Sequence, residues 1–397
     1  RQILKDRMGL DYVAASNRIR ESVSTAATGE DWIDIHLKLS DWDVELDRYF
    51  DPGLRKMHED LRRNCNLNFG KFVDRNYRQW VNDEENSPLL SVDIVPEFVV
   101  PLLQEGKQVF FIVVDCLRLD HWVSITPLLA DLFSIEPHYY YSILPTATPF
   151  SRNAIFSGLF PGDVAKLYPD EWRTARDDEM SRNRHEHQLL DRQLQDIDPT
   201  LASETRYVKV LDIAEGNNLV KRVHSYRFFP LMSVVFNFLD MLTHGRSESE
   251  LLLEMAPTES AFRSLTRSWF SHSALFEMLR KLAETDSTVV ITTDHGCMFS
   301  ARATVAHGNR ETSTNLRFKY GKNLRCDLRQ AMFIKDPEAY GLPSLGLGTN
   351  YILAKEDYYF VYPTKFHEYQ RQYANSFQHG GISLEEVILP VSILRSK

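Results

Sequence analysis

Five short clusters along the chain carry residue types suited to metal-assisted chemistry. They are Asp115, Pro145-Thr146-Ala147-Thr148, Asp240 with His244, Asp294-His295-Gly296, and His379-Gly380-Gly381. Carboxylate oxygens and imidazole nitrogens are good donors to Zn²⁺. Asp115 and Asp294 each follow an apolar run, so both are expected at one edge of a sheet. His295 adds a third donor from a turn that Gly296 allows to bend. Asp240 and His244 are spaced i, i+4 and share a face on a helical turn; a surface Asp–His pair is the plainer alternative. His379 precedes two glycines in a bent loop and would complete a second set of three donors with Asp240 and His244.

Thr148 stands at a strand-to-helix junction. A Thr hydroxyl is a weak nucleophile and needs activation of the kind that lowers the pKa of metal-bound water from about 15.7 to about 7. The helix beyond it offers unpaired N–H groups to an anion. The simpler role for Thr146 or Thr148 is the helix N-cap. Two metals about 3.5–4 Å apart would clamp the attacking and leaving oxygens of an in-line displacement at phosphorus.

Elements must bring these clusters together. Val109–Val114 is an unbroken apolar run, expected as a strand buried on both faces of a parallel sheet. Further strands are expected near Tyr139–Leu144, Tyr207–Leu211, Val234–Leu239, Thr288–Thr293, Ala331–Ile334, Tyr358–Tyr362 and Val387–Leu394. Helices are expected near Val95–Gln104, Trp122–Phe133, Pro149–Gly158 and Ser260–Ala283, and residues 163–204 form a charged insertion that could cap the site. The alternation predicts an α/β fold with a mostly parallel sheet covered on both faces. Before it, residues 1–86 predict a three-helix bundle. Trp32, Ile35, Leu39, Trp42, Leu46 and Tyr49 make a narrow stripe, and Asp51-Pro52 opens the third helix. That unit is expected as a spacer or dimerising element, with His36 and His58 at its surface or satisfied. The polar stretch 82–88 sets the boundary, leaving 87–397 as the catalytic domain.

The 397 residues are 43% hydrophobic and 25% charged, ordinary for a soluble globular protein, and the net charge of −9 argues against non-specific coating of nucleic acid. No stretch approaches the ~20 apolar residues of a membrane helix, and no secretion signal opens the chain. The start without Met suggests that further residues precede it. Cys65, Cys116, Cys297 and Cys326 lack paired spacing, so neither a disulfide framework nor a zinc finger is expected. Cys116 and Cys297 are expected to be small packing residues in a reducing cytoplasm. Between Arg302 and Arg325 basic residues alternate with Phe318 and Tyr320. Arg310, Arg317 and Lys319 there could meet phosphates, unless the stretch is a solvated loop.

The order Asp115, Thr148, Asp240/His244, Asp294-His295, His379 resembles the alkaline phosphatase superfamily, in which two zinc ions flank a Ser or Thr nucleophile. The run from Pro145 to Pro161 is similar in layout to the nucleophile segment of nucleotide pyrophosphatase/phosphodiesterases, which implies Thr148, not Thr146, as nucleophile. Val-Val-Asp-Cys-Leu-Arg-Leu-Asp, Arg310 to Gly321 and the closing His-Gly-Gly-Ile-Ser-Leu-Glu-Glu-Val-Ile-Leu-Pro resemble a PglZ domain, from about residue 96 to the end. The helical part resembles the spacer of response regulators that carry such an effector. The resemblance implies an alkaline-phosphatase-like fold. It implies one zinc on Asp115, Asp294 and His295 with Thr148 as fourth ligand, and a second zinc on Asp240, His244 and His379. It also implies phosphodiester hydrolysis, of cyclic or linear oligonucleotides, in a two-component response regulator controlling type IX secretion. A sensor histidine kinase and a sigma factor are the partners it suggests. A phosphomonoesterase and a regulatory scaffold are the alternatives. Where the related pattern has Asn, this chain has Ser151, followed by Arg152 and Asn153, so all three are candidates to support the phosphoryl oxygens. An Arg would suit a monoester. Thr148 cannot yield the aldehyde of a sulfatase.

Overall fold

The computed structural model describes residues 2–397 apart from 50, 173–182, 202–203, 247–248, 309–314 and 345. Its first 82 residues are the expected three helices, α1 (Gln2–Thr25), α2 (Gly29–Arg48) and α3 (Pro52–Asn82). Thr28 opens α2 with a capping box to Asp31, and Asp51 accepts from Gly53 N and Leu54 N at the start of α3. The α2 stripe is not a free dimerising face. Trp32 packs edge-on against Phe69 at 5.4 Å, and the stripe joins one core with residues of the sheet beyond. His58 is buried and satisfied by Asp43 at 3.0 Å and by Tyr12 at 3.2 Å. His36 departs from expectation: it is buried and neither ring nitrogen has a hydrogen-bond partner among the described residues.

After a lead-in ending in α4 (Val100–Gln104), the chain alternates through β1 (Val109–Val114), α5 (Leu119–Ile125), β2 (Phe133–Tyr141), α6 (Thr148–Ser157), α7 (Pro161–Leu167) and α8 (Glu186–Ile197). It continues through β3 (Arg206–Val210), α9 (Ile213–Tyr226), β4 (Leu231–Phe236), α10 (Phe238–Arg246), α11 (Glu250–Met255), α12 (Glu259–His272), α13 (Ala274–Leu282) and β5 (Thr288–Thr292). Short strands follow: β6 (Met298–Ser300), β7 (Arg302–Val305), β8 (Phe318–Lys322), β9 (Ala331–Ile334), β10 (Thr349–Ala354) and β11 (Tyr358–Val361). The chain closes with α14 (Phe366–Tyr373), β12 (Ser376–Gln378), α15 (Leu384–Val387) and β13 (Ile388–Ser396).

The central sheet runs β2-β13-β5-β1-β4-β3, and only β13 is antiparallel to its neighbours. The apolar run in β1 serves two cores. Val109, Phe111 and Val113 join the core that includes the bundle and α6. Phe110, Ile112 and Val114 join the one built with α5, α9, α12 and α13. Three elements, α5, β2 and the helix of 260–283, differ from expectation. α5 ends at Ile125 because Thr126 precedes Pro127, and the chain passes through a 3₁₀ turn into a β2 that starts at Phe133 and stops at Tyr141. The helix expected over 260–283 is two helices. Ser273 ends α12 and caps α13, accepting from Phe276 N at 3.2 Å.

The expected boundary at 86/87 separates two parts that share a core and a buried charge network. Arg62 bonds Asp43 and, at 2.7 Å, Glu385. Arg263 bonds Asp47 at 2.7 Å and Asp120 at 2.9 Å, and Arg118 bonds Asp120 at 2.9 Å. No helix of the described residues is long and apolar enough to cross a membrane.

Candidate active site

The parallel strands β1, β4, β5 and β2 lead into Asp115, Asp240 with His244, Asp294-His295 and the Thr146–Thr148 segment, while His379 follows β12, which pairs with β6 in a separate two-stranded sheet. Asp115 follows β1 directly, its N–H donating to Phe236 O at 2.9 Å. Cys116 then takes a left-handed φ of 66°, a strained conformation for a non-glycine residue at such a position. Its thiol and that of Cys297 are buried, and burial pushes the Cys116 thiol well up, which fits packing rather than nucleophilic roles. Asp294 and His295 follow β5. A Cβ on Gly296 would lie 1.8 Å from Glu385 O, so only glycine fits after His295.

Asp115, Asp294 and His295 form one group whose ligand atoms lie within 4.8 Å of one another. His295 Nε2 is 3.3 Å from Asp115 Oδ1 and 2.9 Å from Thr148 Oγ1. The second set also converges. Asp240 and His244 share one face of α10, with Asp240 Oδ1 3.4 Å from His244 Nε2 and 3.4 Å from His379 Nε2. The two Nε2 atoms are 3.1 Å apart. The His295 and His379 rings stack at 4.2 Å, so the two sets are contiguous. Asp240, His295 and His379 form a group of possible metal ligands as well.

Each buried imidazole uses its other nitrogen on a carbonyl. His295 Nδ1 donates to Gly296 O at 2.9 Å and His379 Nδ1 to Thr146 O at 3.3 Å, which turns the two Nε2 atoms inward. Asp115 Oδ1, Asp240 Oδ1 and Asp294 Oδ2 are buried with no hydrogen-bond donor among the described residues. Buried carboxylate oxygens of this kind are paired or bind cations. The cluster draws positive charge. Burial and the Asp115 carboxylate push Asp294 up to about 7. Burial opposes charge on His295, yet Asp294 and Asp115 raise it to about 10. Burial and the nearby His295 push His379 down to about 3, so it stands as a neutral donor. These residues fit bound metal.

Neither Thr146 nor Thr148 caps α6, whose N-cap is Ala147 with no side-chain bond. Thr146 Oγ1 instead donates to Gly381 O at 2.8 Å and accepts from Gly380 N at 3.1 Å, tying the segment before α6 to the His379 loop. Thr148 is left facing His295.

The expected phosphate contacts lie elsewhere. Arg152 is buried beneath the carboxylates, bonded to Asp115 Oδ2 and Glu186 Oε1, both at 2.6 Å, and 3.7 Å from Asp294 Oδ2. Ser151 Oγ donates to Ala147 O at 3.0 Å, and Asn153 Nδ2 to Pro149 O at 3.0 Å, both inside α6. Arg317 is fully buried, bonded to Glu386 and to the Tyr358 carbonyl, and so is structural. Lys319 is buried, donates to Asn315 O at 2.9 Å and lies over the Tyr362 ring at 4.6 Å. Arg310 lies outside the described residues. Two residues were not singled out in the sequence, because they lie in the charged insertion over 163–204, at and just before the start of α8. Asn183 Nδ2 donates to Thr148 O and to Asn153 Oδ1, each at 3.3 Å, and Glu186 holds Arg152.

The model of the BREX system PglZ alkaline phosphatase-like domain matches residues 94–393. The model of the PorX response regulator linker domain matches residues 2–81. No curated protein matches the chain in sequence. Among solved structures, the inactive variant of murine ectonucleotide pyrophosphatase/phosphodiesterase 5 in complex with AMP is similar at 11% identity, with a TM-score of 0.49 over 73% of this chain and 88% of that one. Phosphonoacetate hydrolase from Sinorhizobium meliloti, in complex with phosphonoformate, is similar at 13% identity, with a TM-score of 0.44 over 72% of this chain and 90% of that one.

Proposed function

Because this chain belongs to the PglZ alkaline phosphatase-like family, we propose that it is a two-zinc phosphodiesterase with Thr148 as nucleophile. Residues 1–86 serve as a helical linker unit and 87–397 as the catalytic domain. The observation that carries the proposal is the aim of the Thr148 hydroxyl, 2.9 Å from His295 Nε2 and beside carboxylate oxygens that lack donors.

Asp115, Asp294 and His295, with Thr148, would hold one ion; Asp240, His244 and His379 would hold the other. When bound, the ions supply Lewis-acid charge to the attacking and leaving oxygens. Thr148 Oγ1 would lose its proton and bond to phosphorus as the bond to the leaving oxygen breaks, the leaving group departing as an alcohol; water would then attack the same phosphorus, releasing a phosphate monoester and returning a proton to Thr148 Oγ1. The N-terminus of α6, at Thr148, offers backbone N–H to the anionic phosphate. Thr146 holds the His379 loop against this segment, and Arg152 fixes the orientation of Asp115 from below.

The placement of Arg152 favours diesters over monoesters. Its guanidinium is committed to Asp115 and Glu186, so it does not offer the extra positive charge that a dianionic monoester would use. We infer cyclic or linear oligonucleotides as the substrate class. The match to a response regulator linker supports a place in two-component signalling. There a sensor histidine kinase would act upstream, and control of type IX secretion, with a sigma factor as partner, would be the output.

The test is zinc-supplemented hydrolysis of matched activated phosphate mono- and diesters by the unaltered chain and its Thr148→Ala variant. Diester turnover that disappears in the variant supports the proposal. Faster monoester turnover would overturn the diesterase reading, and equal turnover in both proteins would overturn Thr148 as nucleophile.

A further inference from the structure

The segment from Ser383 to Val387 touches the helical bundle on one side and both ligand-bearing turns on the other. On the bundle side, Leu384 N donates to Asn66 Oδ1 at 2.8 Å, and Asn66 Nδ2 donates to Glu385 Oε2 at 3.0 Å. Arg62 Nη1 donates to the other Glu385 oxygen at 2.7 Å. Arg62, Asn66 and Glu385 are all buried.

On the site side, Gly296 N donates to Glu386 O at 3.3 Å, and Gly296 sits so close to Glu385 O that a methyl group has no room. The Glu386 carboxylate accepts from Gly381 N at 3.0 Å and Ser383 Oγ at 2.7 Å and pairs with Arg317. The residue before Gly296 is His295, and the residue before Gly380-Gly381 is His379. The stacked rings of those histidines link the two donor sets. The stretch Ser383 to Glu386 thus sets the spacing between the His295 turn and the His379 loop, and α3 holds it through Leu384 and Glu385.

We propose that Asn66 and Glu385 are positioning residues of the metal centre, through which the third bundle helix sets the spacing of the two ligand sets. The proposal rests on the reading of these sets as metal ligands. Groups that orient metal ligands without touching the metal typically change metal affinity by 10–100-fold when removed. The consequence is that the linker unit is built into the site and does not merely precede it. A shift of α3 against the catalytic domain would alter metal affinity.

The experiment measures zinc affinity by competition with a chromophoric chelator. It compares the unaltered chain with Asn66→Ala, Glu385→Gln and a control, Tyr141→Phe. Tyr141→Phe removes a different bond between the sheet and the bundle, Tyr141 Oη to Gly29 O at 2.8 Å. Thermal unfolding of the zinc-free proteins reports the stability of each. The expected result is zinc binding weakened about tenfold or more in Asn66→Ala and Glu385→Gln, and unchanged in Tyr141→Phe. Unchanged zinc affinity in both test variants, with lower unfolding midpoints, would overturn the proposal and leave the two residues structural. So would an equal loss of affinity in the control. If the unaltered chain binds no zinc, the metal reading itself falls and takes this proposal with it.

Discussion

The hydroxyl oxygen of Thr148 lies 2.9 Å from Nε2 of His295, although the two residues are 147 positions apart. One begins α6 and the other follows β5, so the contact exists only because β5 and the β2–α6 connection end at the same sheet edge. On the proposed mechanism, replacing Thr148 by Ala removes the attacking oxygen, and with it only the side-chain bond to His295 among those described. The expected outcome is a loss of diester turnover of at least about a thousandfold, with an unchanged unfolding midpoint. Steady-state kinetics on an activated diester and a thermal melt check both halves.

Arg152 is the buried counter-charge to Asp115 and Glu186, held charged by them against the cost of burial. Arg152→Met strands two buried carboxylates. Breaking a buried pair in this way destabilises by roughly 3–5 kcal/mol, and Asp115 loses its orientation. Urea unfolding should show the loss, and zinc bound per chain should fall below that of the unaltered protein. An Arg152→Met protein of normal stability and zinc content, with weaker substrate binding alone, would instead make Arg152 a substrate contact.

Gly296 has no space for a side chain, with Glu385 O 1.8 Å from where a Cβ would stand. Gly296→Ala must push the His295 turn away from the Glu385–Glu386 backbone. Strain of this kind typically costs about 1–3 kcal/mol. Turnover and zinc affinity should both fall, measured by kinetics and chelator competition on a chain that still folds.

His36 and His121 are buried, and burial pushes each imidazole down to about 3. Around His36 stand Arg62, Glu385, Asp120 and Arg118. The folded pKa lies below the unfolded value of about 6.5, so the unfolded chain binds protons more readily as pH falls. Stability is full above about pH 6.5 and declines toward pH 3. Each histidine contributes a loss of about 2 kcal/mol between pH 7.5 and pH 5. Urea unfolding at those two pH values should show His36→Gln losing less stability than the unaltered chain. Equal losses would mean that His36 does not titrate on unfolding.

The donor clusters were legible in the sequence because each is local. A carboxylate that ends an apolar run, an i, i+4 Asp–His pair and a His before two glycines are patterns within a few residues, and the structure brings them into contact with one another. The strand over Val109–Val114 was equally plain, since burial on both faces demands an unbroken apolar run. The roles of Arg152 and Arg317 were not legible. A lone arginine near a site suggests phosphate contact, but only packing decides that Asp115 and Glu186 claim one guanidinium and Glu386 the other.

By itself, then, the sequence determined most element types, the mostly parallel α/β architecture and the candidate metal donors, because strand burial, helix capping and ligand chemistry act over short spans. Tertiary structure alone decided which carboxylates go without a donor and which face of α2 is covered. It also decided that Asn66 of α3 bonds Glu385, 319 positions away, whose backbone packs against Gly296 of the His295 turn. Those outcomes depend on which distant groups share a low-dielectric space, where every buried charge must find a partner, and no local pattern encodes that partner.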